Sequence, residues 1–311
     1  MKYSPEQVAA ALSPKRLGGI VYFNVCADGE TLLLKDLDIY AKRLAEMGHF
    51  IEIVTNCTIT PMLEKFAAWD KDLLGQVEFK CSFHYLELKK RNLLELFARN
   101  VNKIWEAGAS ICVEVTPSDE LIPYIDEIKK FALKNFGVLP QITIARDERT
   151  QGIEILSKLS KEEYYKTWGQ FDSPFFDYKT TIFGKRQEEF CYAGMWSGVI
   201  NLSNGQMWQC YCGRGLGDGF ADPYSEFPAY PVGKCSIAHC YNGHFWLTFG
   251  NIPHATNFRY ADMRNRVTED GREWLQPKLK EFYSSQLCDS NRELSDAEKL
   301  QFMLINRLGV S

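Results

Sequence analysis

The sequence predicts an α/β protein in which a parallel sheet, or a partial barrel of parallel strands, precedes a small cysteine-rich domain and a helical tail. Residues 1–147 alternate short apolar runs with amphipathic helical patterns, which is typical of βα units. Residues 148–190 are charged and aromatic without a clear period and are expected to connect the domains. Residues 191–253 are rich in glycine, cysteine and tryptophan, and residues 254–311 return to helical patterns. We therefore expect four segments with these boundaries.

Five short runs in the first segment predict strands, and each is nearly continuous in apolar character. Strands covered on both faces have this character. The candidate strands are residues 19–26, 50–55, 77–83, 109–115 and 141–145. Between them, apolar residues recur with the i, i+3, i+4, i+7 spacing of a buried helical stripe, as in Leu37, Tyr40, Ala41 and Leu44. Because such units form parallel sheets, a ligand is expected beyond the carboxyl ends of the strands.

Local signals predict further elements outside these strands. Residues 4–17 predict a helix, with Ser4 as its N-cap and Pro5 at its first position. The dipeptide Asn204-Gly205 predicts a two-residue hairpin turn between extended runs. Residues 213–230 contain four glycines and two prolines and are expected to form a long loop.

Composition excludes several classes of protein. Lys and Arg total 36 against 40 Asp and Glu, so the formal net charge is −4, whereas nucleic-acid binders usually carry a basic excess. The sequence contains no apolar run that predicts a membrane span or a secretory signal. A cytoplasmic protein is therefore expected. The ten cysteines then require burial, redox chemistry or metal binding as an explanation, since disulfides are rare in that compartment.

Four cysteines fall at or just after four successive predicted strands: Cys26, Cys57, Cys81 and Cys112. Free cysteine is among the most buried residue types, so we expect these thiols to pack as small apolar side chains. The alternative is a thiolate cluster at the edge of the sheet. Cys288 stands alone in the helical tail and is expected to be buried.

Five further cysteines lie in the glycine-rich segment itself, within a stretch of 50 residues. Their spacing is C-x18-C-x-C-x22-C-x4-C. Such a segment forms only a small core, and a metal commonly stabilises regions of this kind. Four thiolates suit either a tetrahedral zinc ion or a 4Fe-4S cluster, and unligated buried thiols are the alternative. We predict Cys191, Cys210, Cys235 and Cys240 as ligands. Cys212 is the spare, because it stands too close to Cys210 for both to enter one tetrahedral site.

Two motifs carry a resemblance to a known family. The segment GIVYFNVCADGETLL resembles the second strand and following loop of radical S-adenosylmethionine (radical SAM) enzymes, and C-x13-G-x4-C, from Cys191 through Gly205 to Cys210, resembles the opening of their SPASM or twitch domain. The resemblance covers about residues 5–250. It implies a partial (β/α)6 barrel, here missing its first strand, and cleavage of S-adenosylmethionine to a radical that abstracts hydrogen. It also implies an auxiliary 4Fe-4S cluster, a peptide or carbohydrate-type substrate, and an electron donor such as a flavodoxin or ferredoxin.

The resemblance assigns cofactor contacts to two loops. Asp28, Gly29 and Glu30 would contact the ammonium group of S-adenosylmethionine. Thr55 and Asn56, after the next strand, would line the same site, and an Asx turn is the alternative for them.

Four more polar residues at the strand ends are candidates for the same pocket: Ser82, His84, Glu114 and Thr116. For His84, a hydrogen-bonded position in the core is favoured over a role in the pocket.

The family's defining Cys-x3-Cys-x2-Cys loop does not occur in this sequence. The expectation is therefore an incomplete version of a longer radical SAM enzyme that begins at an internal methionine. One alternative is a degenerate, non-catalytic protein that acts as a scaffold. The other is an α/β binding module stabilised by zinc.

Overall fold

The computed structural model describes residues 1–308, which form two compact units. The first, which we call the sheet unit, comprises Ile20–Thr181 and Ala261–Ser284. The second, which we call the thiol unit, comprises Met1–Gly19, Ile182–Tyr260 and the residues from Ser285 onward. Both units are therefore assembled from segments that are distant in sequence.

The sheet unit contains a five-stranded parallel sheet in the order β1-β2-β3-β4-β5. Its strands are β1 (Tyr22–Val25), β2 (Phe50–Thr55), β3 (Val77–Ser82), β4 (Ser110–Val115) and β5 (Gln141–Ile142). The predicted α/β class and parallel sheet are thus confirmed. Strand β5 is shorter than the sequence predicts, because β4 ends at Val115, whose carbonyl accepts the N–H of Thr143. We call the side of the sheet where these strands end its carboxyl edge.

Fourteen α-helices occur among the described residues. They are α1 (Pro5–Ala11), α2 (Pro14–Leu17), α3 (Leu37–Glu46), α4 (Thr60–Ala67), α5 (Lys71–Leu74), α6 (Tyr85–Lys90), α7 (Leu94–Ala107), α8 (Ile125–Phe136), α9 (Lys161–Gly169), α10 (Pro174–Ile182), α11 (Gly243–Thr248), α12 (Tyr260–Arg264), α13 (Pro277–Ser284) and α14 (Asp296–Leu308). Short 3-10 helices occupy Thr31–Leu33, Asp119–Tyr124 and Leu287–Asp289. None of the helices within residues 1–308 is long and apolar enough to cross a membrane.

The two faces of the parallel sheet differ sharply in chemistry. Side chains alternate between faces along a strand. The paired register places Phe23, Ile51, Val77 and Ile111 among the apolar residues of one face, and the helices with buried apolar stripes, such as α3 and α7, pack beside this sheet. The other face carries a row of polar residues, in which Asn24, Glu52, Glu78 and Ser110 are register partners. The strands are covered on both faces as expected, since all six residues of β4 are buried, but the second face is polar and not apolar.

The thiol unit contains a three-stranded antiparallel sheet made of β6 (Val199–Ile200), β7 (Gln206–Trp208) and β8 (Gly215–Asp218). The predicted hairpin forms, but its loop is longer than two residues. The Asn201 N–H donates to the carbonyl of Gln206, so the loop consists of the residues between these two. Strand β8 lies within the stretch that was predicted to be loop, since its backbone pairs with β7.

The N-terminal helix begins as predicted. Ser4 Oγ accepts the N–H of Gln7, and Pro5 occupies the first helical position. The helical stretch is broken into α1 and α2, because Pro14 begins a second helix after the chain leaves the first at Leu12.

Candidate functional site

Glu30 joins two loops at the carboxyl edge of the sheet. Its Oε1 accepts hydrogen bonds from Thr55 Oγ1 at 2.5 Å and from the Leu32 N–H at 2.9 Å. Its Oε2 accepts the N–H of Asn56 at 2.8 Å. Glu30 follows β1, and Thr55 ends β2, so neighbouring parallel strands deliver these groups to one place. Three of the five residues predicted for cofactor binding therefore converge.

Asp28 and Gly29, the other two, are exposed in the same loop. Gly29 has φ +121°, a conformation that side-chain-bearing residues rarely adopt, and no atom lies within 4 Å of a Cβ built there. Asn56 Oδ1 accepts the N–H of Thr58 at 3.0 Å and its hydroxyl at 2.6 Å. That is the Asx turn expected as the alternative role of Asn56, while its backbone N–H contacts Glu30.

The carboxyl edge has hydrogen-bond acceptors that suit an ammonium group. A carboxylate offers about four acceptor positions, and the three hydrogen bonds described above leave one open on Glu30. Asp28, Gly29 and Glu30 are consecutive, so backbone carbonyls and two carboxylates occur together. The residues present therefore fit the methionine end of S-adenosylmethionine.

The remaining polar candidates of the strand ends are dispersed. His84 and Thr116 are exposed, Ser82 is half-buried and Glu114 is buried. The prediction of a core position for His84 is wrong, because the residue follows β3 and begins α6 at the surface.

A buried arginine holds three strands together on the polar face of the sheet. The Arg264 guanidinium from α12 lies 3.5 Å from Glu52, 3.2 Å from Glu78 and 3.2 Å from Glu114, one carboxylate from each of β2, β3 and β4. Arg264 and Glu78 are fully buried, and the other two carboxylates almost so. Buried charges require such pairing. We give the name charge layer to a set of six residues. These are Arg264, the three glutamates, Lys80 and Lys179.

Further hydrogen bonds fix the carboxylates of the charge layer. Glu52 accepts from Tyr22 OH at 2.5 Å and from Asn24 Nδ2 at 2.6 Å. Glu78 accepts from Tyr283 OH at 2.7 Å, so α13 also reaches this face. Burial raises the pKa of Glu78 to about 7, against the lowering effect of Arg264.

Two lysines lie around Glu114 in the charge layer. Lys80 Nζ is 3.0 Å from Glu114, and Lys179 Nζ donates to Thr143 Oγ1 at 2.5 Å. Burial tends to raise the pKa of Glu114, but Lys80 and Arg264 hold it below its usual value. Burial tends to lower the pKa of Lys80, but Glu114 and Glu52 raise it above its usual value. Burial lowers the pKa of Lys179 to about 7, although Glu114 opposes the shift.

The predicted metal ligands lie near one another in the thiol unit. Cys191 and Gly233 exchange backbone hydrogen bonds of 2.8 and 3.0 Å, which brings the segment before Cys235 alongside Cys191. Cys191 and Cys210 share an apolar cluster, and Cys240 packs against it. Cys240 interacts electrostatically with Cys191, Cys235 and Cys210. We call these four cysteines the thiol group.

The surroundings of Cys191 and Cys210 favour neutral thiols. Burial raises the pKa of Cys191 to about 12 and that of Cys210 to about 11, and the neighbouring thiols add to both shifts. The Cys212 N–H donates to Cys210 Sγ at 3.4 Å, and Cys212 itself is exposed. A Cβ on Gly213 would lie 2.9 Å from Cys210 N and 3.3 Å from its Sγ, so the chain closes tightly around this sulfur.

The predicted ligands are not arranged as a metal site, because no group of three or more His, Cys, Asp or Glu within residues 1–308 could hold a metal ion as placed. Only the chemistry of the four donors is that of a sulfur-ligated centre. Four soft thiolate donors in apolar surroundings suit an iron–sulfur cluster or zinc. Ligands must be deprotonated to bind, so loading would release protons from the thiol group.

The cysteines of the parallel sheet behave differently from one another. Cys57, Cys81 and Cys112 are buried as expected, and the sulfurs of Cys57 and Cys81 lie 2.9 Å apart. Cys26 is exposed at the end of β1, so the prediction of burial is wrong for this residue. The prediction of burial also holds only in part for Cys288, which is half-exposed.

Sequence reasoning missed most of the charge layer. Glu52, Glu78 and Glu114 each stand between apolar residues within a strand, and a glutamate in that position is a signal for a buried ion pair. Arg264 and Lys179 gave no comparable signal, because both are in helices distant from the strands in sequence.

Solved structures with a similar fold exist. Streptococcus suis SuiB bound to S-adenosylmethionine matches with a TM-score of 0.50 and 15% identity, over 71% of this chain and 57% of that chain. Another SuiB structure matches with a TM-score of 0.49 and 14% identity, over 71% of this chain and 58% of that chain. The structure of anSMEcpe with bound AdoMet matches with a TM-score of 0.44 and 14% identity, over 71% of this chain and 67% of that chain. At these identities the likeness concerns the fold. The matched region spans less than two thirds of the SuiB chain.

No protein-family profile and no curated protein sequence matches this chain.

Proposed function

We propose that this chain carries the S-adenosylmethionine-binding sheet and the auxiliary 4Fe-4S centre of a radical SAM-type enzyme that acts on a peptide or carbohydrate-type substrate. The parallel strands would form a partial barrel, and the glycine-rich segment would be the SPASM- or twitch-like domain. The observation that carries the proposal is the convergence of Glu30, Thr55 and Asn56 at the carboxyl edge. The similar fold of SuiB, a protein solved with S-adenosylmethionine, supports it.

Each residue has a defined part in this proposal. Glu30 and Asp28 would accept hydrogen bonds from the ammonium of S-adenosylmethionine, while Thr55 and Asn56 orient the Glu30 carboxylate. The bound cofactor would supply the 5′-deoxyadenosyl group for hydrogen abstraction, and the electron that releases this group would have to come from a cluster that these residues do not hold. The ten cysteines include no Cys-x3-Cys-x2-Cys loop, so no step through that family's own cluster is assigned to this chain.

The thiol group would hold the auxiliary centre, for which a flavodoxin or ferredoxin is the proposed electron donor. The chain would exclude water from this centre with the apolar side chains of Trp246, Leu247 and Ile252. The four donors suit zinc equally well, and a zinc-stabilised binding module is therefore the second candidate.

Calorimetric titration with S-adenosylmethionine tests the cofactor site. Glu30→Gln should weaken binding at least tenfold, because an amide oxygen attracts an ammonium less than a carboxylate does. Glu95→Gln, an exposed glutamate on α7, is the matched control and should leave binding unchanged. Equal affinity in the wild type and Glu30→Gln, or no binding at all, contradicts the proposal.

Metal analysis after anaerobic reconstitution tests the thiol group. Iron with acid-labile sulfide supports the cluster, whereas one equivalent of zinc without sulfide supports the binding module. Cys240→Ser should lower the content of the bound metal, and Cys288→Ser should not. Equal metal content in both variants would rule out Cys240 as a ligand.

A further inference from the structure

Lys179 is the one cation of the charge layer that forms no ion pair within residues 1–308. Arg264 pairs with all three glutamates, and Lys80 pairs with Glu114. Lys179 is 93% buried. Its ammonium has three donors, and within residues 1–308 the only hydrogen bond it makes is to Thr143 Oγ1. Two N–H groups of a buried lysine thus lack an acceptor.

The charges around Lys179 favour a further anion. Lys179 interacts electrostatically with Glu114, Lys80, Arg146 and Arg264. The Glu114 carboxylate already pairs with Lys80 and Arg264. The Phe175 ring, 4.9 Å from Nζ, is its aromatic neighbour. Burying an ammonium without an ion pair is costly, and an anion bound to Lys179 would offset that cost.

Solvent reaches this part of the charge layer from the carboxyl edge. Lys80 and Thr143 are half-buried and Cys26 is exposed, whereas Glu52 and Glu78, deeper on the same face, are not accessible. Cys26 lies within electrostatic range of Lys80, so the exposed end of β1 borders the amines. Ligands of parallel α/β sheets bind at this edge.

We propose that Lys80 and Lys179 bind a carboxylate or phosphate group of the substrate at the carboxyl edge of the sheet. The anion site stands on the geometry of the charge layer alone. Its assignment to the substrate rests on the proposed function, because the methionine carboxylate of S-adenosylmethionine has the same chemistry. The oxygens of the bound anion would accept hydrogen bonds from the two remaining N–H groups of Lys179. Glu114 would stay paired with Lys80 and Arg264.

Calorimetry with inorganic phosphate and with malonate as probes tests the site, using the full chain at pH 7. Lys179→Met should weaken the binding of at least one probe tenfold or more. Lys134→Met, an exposed lysine on α8, is the matched control and should change nothing. Because loss of Lys179 affects the core, Thr143→Val provides a milder variant that keeps the charge, and it should weaken the same probe to a smaller extent.

A parallel titration with S-adenosylmethionine separates the two sources of the anion. If Lys179→Met keeps the affinity for S-adenosylmethionine while losing the probe, the anion belongs to the substrate. If it weakens both alike, the anion is the methionine carboxylate and the assignment to the substrate is overturned. Probe binding that is undetectable in the wild type, or unchanged in Lys179→Met, overturns the site itself. Failure of Glu30→Gln to affect S-adenosylmethionine, with Lys179-dependent probe binding intact, rejects only the proposed function.

Discussion

The charge layer of the sheet unit and the thiol group of the thiol unit handle buried polar chemistry in opposite ways. In the charge layer, one guanidinium pairs with three carboxylates across three regular strands, and Lys80 pairs with one of these carboxylates. In the thiol group, burial raises the pKa of Cys191 and Cys210 and so favours their neutral form, and loops with short strands carry these cysteines. A region that pairs its own charges stabilises a fold directly, whereas a region of neutral thiols gains stability mainly when a ligand binds.

Removing the arginine should have the largest effect on stability. Arg264→Met leaves three buried carboxylates without their common partner and should lower the free energy of unfolding by about 3 to 5 kcal/mol. Urea unfolding measures the change. Arg99→Met, an exposed residue on α7, should stay within about 0.5 kcal/mol of the wild type. Similar stabilities of the two variants would show that the charge layer does not hold the strands together.

The pH dependence of stability sharpens the account of Glu78. Its pKa of about 7 in the folded protein exceeds the ordinary value of 4.5, so between these pH values the folded state keeps a proton that the unfolded state has lost. Stability should therefore fall by about 3 kcal/mol as pH rises from 4.5 to 7, at roughly 1.4 kcal/mol per pKa unit.

Urea unfolding at a series of pH values measures this fall. Glu78→Gln should abolish most of it, while the exposed Glu95→Gln keeps the wild-type profile. Parallel profiles for the wild type and Glu78→Gln would contradict the raised pKa.

A smaller effect is expected where the chain closes around Cys210. Gly213→Ala would place a Cβ 2.6 Å from Gln209 Cβ and 2.9 Å from Cys210 N, which should cost about 1 to 3 kcal/mol through overpacking. The bound metal should decrease as well, because Cys210 is displaced. Gly19→Ala, where no atom lies within 4 Å of the new Cβ, is the control for both measurements. An unchanged metal content in Gly213→Ala would show that Cys210 is not a ligand of the metal.

The smallest effect is expected for the spare thiol. Cys212 is exposed, and its sulfur is the one that the proposed site does not use. Cys212→Ser should alter stability by less than about 0.5 kcal/mol and leave the metal content unchanged. Cys210→Ser, two positions away, should lose the metal. The reverse result would exchange the roles of these two cysteines.

Local signals in the sequence were sufficient for regular elements and for the first turn of a helix. The predicted strand 50–55 matches β2 at both ends, and Ser4 caps α1. They failed where long-range contacts decide the conformation. Strand β8 exists because its backbone pairs with β7, and Gly215 and Gly217 give no strand signal of their own. Cys26 and His84 were expected inside because apolar runs indicate burial but do not show where a strand ends.

By itself, the sequence determined the parallel α/β class and the succession of strands, because hydrophobic periodicity and turn chemistry act over a few residues. The candidates Glu30, Thr55 and Asn56 came from the resemblance of two sequence motifs to a known family. Only the tertiary structure decided that one face of the sheet is charged. Arg264 lies 150 residues from Glu114 and 212 from Glu52, and strand periodicity does not specify which distant helix supplies the partner of a buried carboxylate. Packing makes that choice, since a buried charge is stable only where its counter-ion is also buried.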